Sequence, residues 1–97
     1  MHHIESESLN QLFDAILALK DREECSKFFE DICTIKEIQD ISQRLEVAQM
    51  LSQGISYTTI CKETGASTAT ISRVSRAYNY GDDGYKNIIA KMKGTEK

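Results

Sequence analysis

The sequence predicts an all-α fold, and three observations carry that prediction. The chain of 97 residues contains no proline. Its apolar residues recur at helical spacing, with little of the alternation that marks strands. Cap residues recur along it at the places where apolar stripes begin, each a helix-start signal.

Six helices are expected in order. The first runs from about Ser8 to Lys20, where Leu9, Leu12, Phe13, Ile16 and Leu17 form one apolar stripe. Asp21 caps the second, with Glu24 at the third position after it, as in a capping box. Cys25, Phe28, Phe29 and Ile32 then repeat at helical spacing. In "TIKE", residues 34–37, Thr34 caps and Glu37 reaches back. The long third helix places Ile38, Ile41, Leu45, Ala48 and Leu51 or Ser52 on one side, with Val47 and Met50 widening the face. Gly54 suits a left-handed C-terminal cap. Ser56 caps a short fourth helix that ends at Gly65, and Ser67 caps a fifth over about Thr68 to Tyr78. "NYGDDGY", residues 79–85, reads as a turn, and a last helix covers about Tyr85 to Lys93 before a frayed end.

Length and composition predict a single domain over 1–97. Hydrophobic content of 40% and charged content of 28% fit a soluble globular chain. No apolar run is long enough to span a membrane, and the N-terminus lacks the pattern of a secretory signal, so a cytoplasmic protein is expected. Cys25, Cys33 and Cys61 show no CxxC spacing, so neither a disulfide framework nor a metal site is predicted. Histidine occurs only at His2 and His3, and no nucleophile–base set or phosphate loop is present, so no catalytic residues and no enzyme are expected. Stripes on three N-terminal helices are wide for so short a chain. They predict that residues 8–54 pack against a second copy, the alternative being a compact monomeric bundle.

The net charge of -3 argues weakly against a nucleic-acid binder. It is unevenly placed, however. Residues 1–61 carry net -6 and residues 62–97 carry net +3, so a positive face is concealed in the total.

Residues 56–78 have the layout of a helix-turn-helix. Cys61 is small enough for a close helix crossing, and Gly65 tolerates the positive φ that the turn requires. Ile60, Ile71 and Val74 fall where each helix must face the core. The opposite side of the fifth helix then presents Ser67, Thr68, Ala69, Ser72, Arg73 and Arg76. Short side chains let a helix approach a groove, hydroxyls bond phosphates or base edges, and Arg reaches guanine or the backbone. Thr70, beside them, joins the candidate reading set, and Thr58 and Thr59 open the fourth helix as candidate phosphate contacts. The bland alternative is a solvated face, but such a face more often carries Glu and Lys. Tyr57, Tyr78, Tyr80 and Tyr85 are read as packing residues rather than base-stacking ones.

The segments "EIQDISQRLEVAQML", "ETGASTATISRVSR" and "NYGDDGY" resemble the Trp repressor superfamily, and more closely its YerC/YecD-type branch. The resemblance covers about residues 9–90. It implies an intertwined all-α homodimer of six-helix subunits in which the fourth and fifth helices bind DNA. It also implies a possible ligand pocket, because the two arginines that sandwich the indole of tryptophan in that repressor match Arg44 and Arg73. Three departures disfavour L-tryptophan as a cofactor. Val74 replaces the glycine after the second Arg, Ala77 replaces a serine three residues on, and the segment between Gly54 and Gly65 is one residue shorter. A β-branched side chain obstructs a flat ligand, and a lost polar partner costs about 1–3 kcal/mol. In that case Arg44 is solvated or pairs with Asp40 one turn earlier.

These readings converge on a homodimeric, sequence-specific regulator of transcription, expected to be a repressor. Its partner would be double-stranded DNA with a palindromic site, and it would not respond to tryptophan. The rival is a protein-interaction adaptor that keeps the helix-turn-helix as scaffold and binds through its acidic N-terminal half.

Overall fold

The computed structural model describes residues 6–94. His2, His3 and the end of the chain beyond 94 lie outside the described residues. The described chain is helical: α1 (Glu7–Leu17), α2 (Arg22–Ile32), α3 (Ile35–Ser52), α4 (Tyr57–Thr64), α5 (Thr68–Tyr80) and α6 (Gly84–Gly94). Among these residues there is no strand, and no helix is long and apolar enough to cross a membrane. Two compact units divide inside α3, Met1–Ile38 and Gln39–Lys97.

The first unit is built from capped amphipathic helices. Ser6 caps α1 by accepting from Leu9 N at 3.1 Å, so this helix begins slightly earlier than its stripe suggests. It also ends earlier, at Leu17 rather than Lys20. The reason lies in the next helix: the Lys20 N–H donates to Glu24 Oε1 at 2.9 Å, while Asp21 caps α2 by accepting from Glu24 N at 2.9 Å. Thr34 and Glu37 form a complete capping box, each accepting the other's backbone N–H at 3.1 and 2.8 Å. Phe28 and Phe29 meet edge to face with ring centroids 5.5 Å apart. Neither α1 nor α2 contains a buried residue. Leu17 is 82% exposed and Ile35 75%.

The second unit holds the core. Val47 and Ala48 from α3, Ile60 from α4, Ala66 from the turn, Ile71 and Val74 from α5 and Ile89 from α6 are buried together. Met50, Leu51, Ile55, Cys61, Tyr78 and Tyr85 pack around them. The expected stripe on α3 is therefore rotated: Val47 is central, and Ile41 is exposed. Six residues at about 100° each place Ile41 roughly 120° around the helix from Val47. A Schellman motif closes α3, with Gly54 at φ 76, Gly54 N donating to Leu51 O at 3.0 Å and Ile55 N to Met50 O at 3.2 Å.

The turn after α5 starts later than its composition suggests, because Asn79 and Tyr80 continue the helix. The Asn79 side chain donates to the Ser75 carbonyl one turn back at 3.0 Å, which satisfies it within the helix. Asp83, at φ 67, makes the left-handed step into α6, and its carbonyl accepts from Asn87 N at 2.9 Å. Tyr78 and Tyr85 pack as expected, with Lys86 Nζ 5.4 Å from the Tyr78 ring centroid. Tyr57 and Tyr80 are exposed, the first opening α4 and the second closing α5.

Candidate nucleic-acid interface

The helices α4 and α5 with Gly65 between them form the helix-turn-helix. Ser56 caps α4 by accepting from Thr59 N at 3.2 Å, and Ser67 caps α5 by accepting from Thr70 N at 3.1 Å. Gly65 ends α4 in the left-handed region at φ 75, and its N–H donates to Cys61 O at 3.0 Å. Ile60, Ile71 and Val74 are fully or almost fully buried, which orients both helices. Cys61 is half-buried against the core, beside the crossing.

With Ile71 and Val74 inside, the other side of α5 faces out. Ser67, Thr68, Ala69, Ser72, Arg73 and Arg76 are all exposed. Ala69, Ser72, Arg73 and Arg76 follow i, i+3, i+4, i+7 spacing and so line one face. Thr70 differs. It is half-buried, and its Oγ1 accepts from the Ser67 hydroxyl at 3.1 Å, so it stands on the shoulder of the face and serves the cap. Thr58 and Thr59 are exposed at the start of α4, and the Ser56 hydroxyl donates to Thr59 Oγ1 at 3.0 Å. Arg44 is half-buried on α3. A cavity of about 210 Å³ between the end of α3 and α6 is lined by Gln49, Ser52, Gln53, Ile89, Met92 and Lys93, and neither Arg44 nor Arg73 contributes to it.

The charge at the helix starts separates these elements. Glu7, Glu23 with Glu24, and Glu37 occupy the first turns of α1, α2 and α3, where an acid stabilises the positive end of the helix. The first turns of α4 and α5 carry no acid and open on neutral hydroxyls. The first turn of α6 also lacks one, but Asp82 and Asp83 immediately precede it. The exposed N-termini of the helix-turn-helix therefore keep their positive field for an outside anion.

Sequence reasoning missed the bracing of the turn. The Gln43 side chain on α3 donates through Nε2 to the Thr64 carbonyl at 3.2 Å. Thr64 Oγ1 donates to Ile60 O at 2.7 Å and accepts from Ala66 N at 3.0 Å, and Ala66 is 1% exposed. No periodicity or motif signals a polar contact between residues so far apart in the chain.

The family model for the Trp repressor protein matches residues 7–93. The uncharacterized protein YerC of Bacillus subtilis (strain 168) is 57% identical over 93 residues, which is 96% of this chain and 89% of YerC. A crystal structure of a proposed Trp repressor from Staphylococcus aureus is similar at a TM-score of 0.90 and 55% identity, covering 92% of this chain and 89% of that one. A TrpR-like protein from Eubacterium eligens ATCC 27750 superposes equally well, at a TM-score of 0.90 and 53% identity over 92% of each chain. With its six helices and its turn at Gly65, the chain belongs to the Trp repressor family, on the YerC-type side of it.

Proposed function

We infer that this protein is a cytoplasmic, homodimeric regulator of transcription that reads duplex DNA with α5 and has no catalytic role. The observation that carries the reading is the two-sided build of α5. Ile71 and Val74 are locked into the core, while an acid-free face of hydroxyls and arginines is exposed behind a neutral-capped N-terminus. Phosphates would be held at the starts of α4 and α5, by Thr58, Thr59 and the helix N-termini. Bases would be read from Ser67, Thr68, Ala69, Thr70, Ser72 and Arg73, with Arg76 on the backbone. The exposed apolar residues Phe13, Leu17, Ile32 and Ile35 support a second copy as the missing cover. Two-fold symmetry then implies a palindromic site with half-sites about 34 Å apart. Repression is the expected outcome of occupying such a site.

The same reading disfavours L-tryptophan as corepressor. Val74 is 1% exposed in the cluster that holds Val47 and Ala48, and this supports the reading: a β-branched side chain stands where the family's ligand site has a glycine.

Electrophoretic shift of genomic fragments at two salt concentrations tests the interface. Arg73→Ala should weaken binding and relax base preference, while Arg76→Ala should weaken binding and lower the salt dependence by about one released counterion. Both positions are exposed, so unfolding should move by less than about 0.5 kcal/mol. Binding by both variants equal to the parent removes α5 as the reading helix.

A further inference from the structure

We propose that Gln43 is a positioning residue for DNA reading: its amide ties the helix-turn-helix turn to α3 and fixes the angle at which α5 is presented. The proposal rests on the DNA-binding reading above.

The tie crosses 21 residues of sequence, from Gln43 Nε2 to the Thr64 carbonyl at 3.2 Å. Gln43 stands four residues before Val47, so both look out from the same face of α3. Val47 is fully buried, and Gln43 is half-buried at the edge of that contact. The Thr64 carbonyl belongs to the last turn of α4, where carbonyls have no partner within their own helix. Gln43 therefore caps α4 from another helix.

What it holds has no slack. Thr64 Oγ1 is bonded back to Ile60 O and forward to Ala66 N, Gly65 N is bonded to Cys61 O, and Ala66 is buried. Ser67, the cap of α5, follows Ala66 directly. A displacement at the Thr64 carbonyl is thus passed over three residues to the N-terminal end of α5, the end that would enter the groove.

Apolar packing alone does not fix that angle. Burial of Ile60, Ile71 and Val74 rewards area removed from water and has little directionality. A hydrogen bond weakens steeply as its geometry departs from linear, so it selects one rotation among those the packing accepts. In a two-fold dimer both reading helices turn together, and a change of angle alters the distance between half-sites. Losing the tie should therefore cost discrimination more than general attraction to DNA.

The test uses the full chain and an operator selected by the parent protein from a random duplex pool. Gln43→Met keeps the length without the donor, and Gln43→Glu sets a carboxylate against the carbonyl. Binding is measured on that operator, on versions with the half-site spacing changed in single base-pair steps, and on random-sequence duplex. Expected are a loss of about tenfold on the operator, comparable to one hydrogen bond, a broadened spacing preference, and random-duplex affinity within about twofold of the parent. An unchanged spacing profile in either folded variant overturns the role of Gln43 and leaves DNA reading standing. An equal loss on operator and random duplex also overturns it. Failure of the parent to enrich any sequence removes the underlying DNA reading and this role with it.

Discussion

Ser67 and Thr70 are joined twice at the start of α5: Ser67 Oγ accepts from Thr70 N at 3.1 Å and donates to Thr70 Oγ1 at 3.1 Å. Ser56 and Thr59 repeat the arrangement at the start of α4, at 3.2 and 3.0 Å. In each pair the serine spends its proton on the threonine oxygen, so the threonine O–H remains to donate elsewhere. Both helices of the motif thus open on a rigid hydroxyl pair instead of an acid.

That pair separates folding from binding. Ser67→Ala removes the cap and should cost about 1 kcal/mol of stability, read by denaturant unfolding. Ser67→Asp keeps a good cap, and its charge suits the helix dipole, so stability should hold or rise. The same charge would face phosphate, and DNA affinity should fall. Undiminished DNA binding by Ser67→Asp would mean that the N-terminus of α5 does not meet the backbone.

Gly65 makes the turn at φ 75, and nothing lies within 4 Å of where a Cβ would stand. The cost of replacing it is therefore backbone strain alone, about 1–2 kcal/mol for an ordinary residue. Gly65→Asn should lose least, Gly65→Ala more and the β-branched Gly65→Val most, in denaturant midpoints. A Gly65→Val protein as stable as the parent contradicts a left-handed turn here.

L-tryptophan should leave the melting temperature unchanged at millimolar concentration, because a ligand that binds only the folded state raises it by mass action. The measurement is a thermal-shift titration beside other amino acids. A saturable rise with L-tryptophan would show that the core around Val74 opens to admit an indole.

Leu17 is the most exposed large aliphatic side chain among the described residues of the first unit at 82%, on a helix with no buried residue. For the proposed homodimer, Leu17→Glu should leave the helix content intact and shift sedimentation from dimer to monomer. Unchanged sedimentation with the charge in place excludes this face of α1 from the subunit interface.

The start signals of α2 to α5, the glycine ends of α3 and α4 and the burial of Ile60, Ile71 and Val74 were legible in the sequence. Each is a local property: a cap acts over three residues, a left-handed glycine over one, an apolar period over two turns. The outward set on α5 followed from the same period, because fixing Ile71 and Val74 inside leaves Ala69, Ser72, Arg73 and Arg76 outside. Tertiary structure decided the rest. It rotated the buried face of α3 onto Val47 and away from Ile41, because that choice depends on which other helices pack there. It also joined Gln43 to Thr64, a pairing with no period, cap or spacing to announce it, since a single polar contact across 21 residues exists only once the helices that carry it have packed.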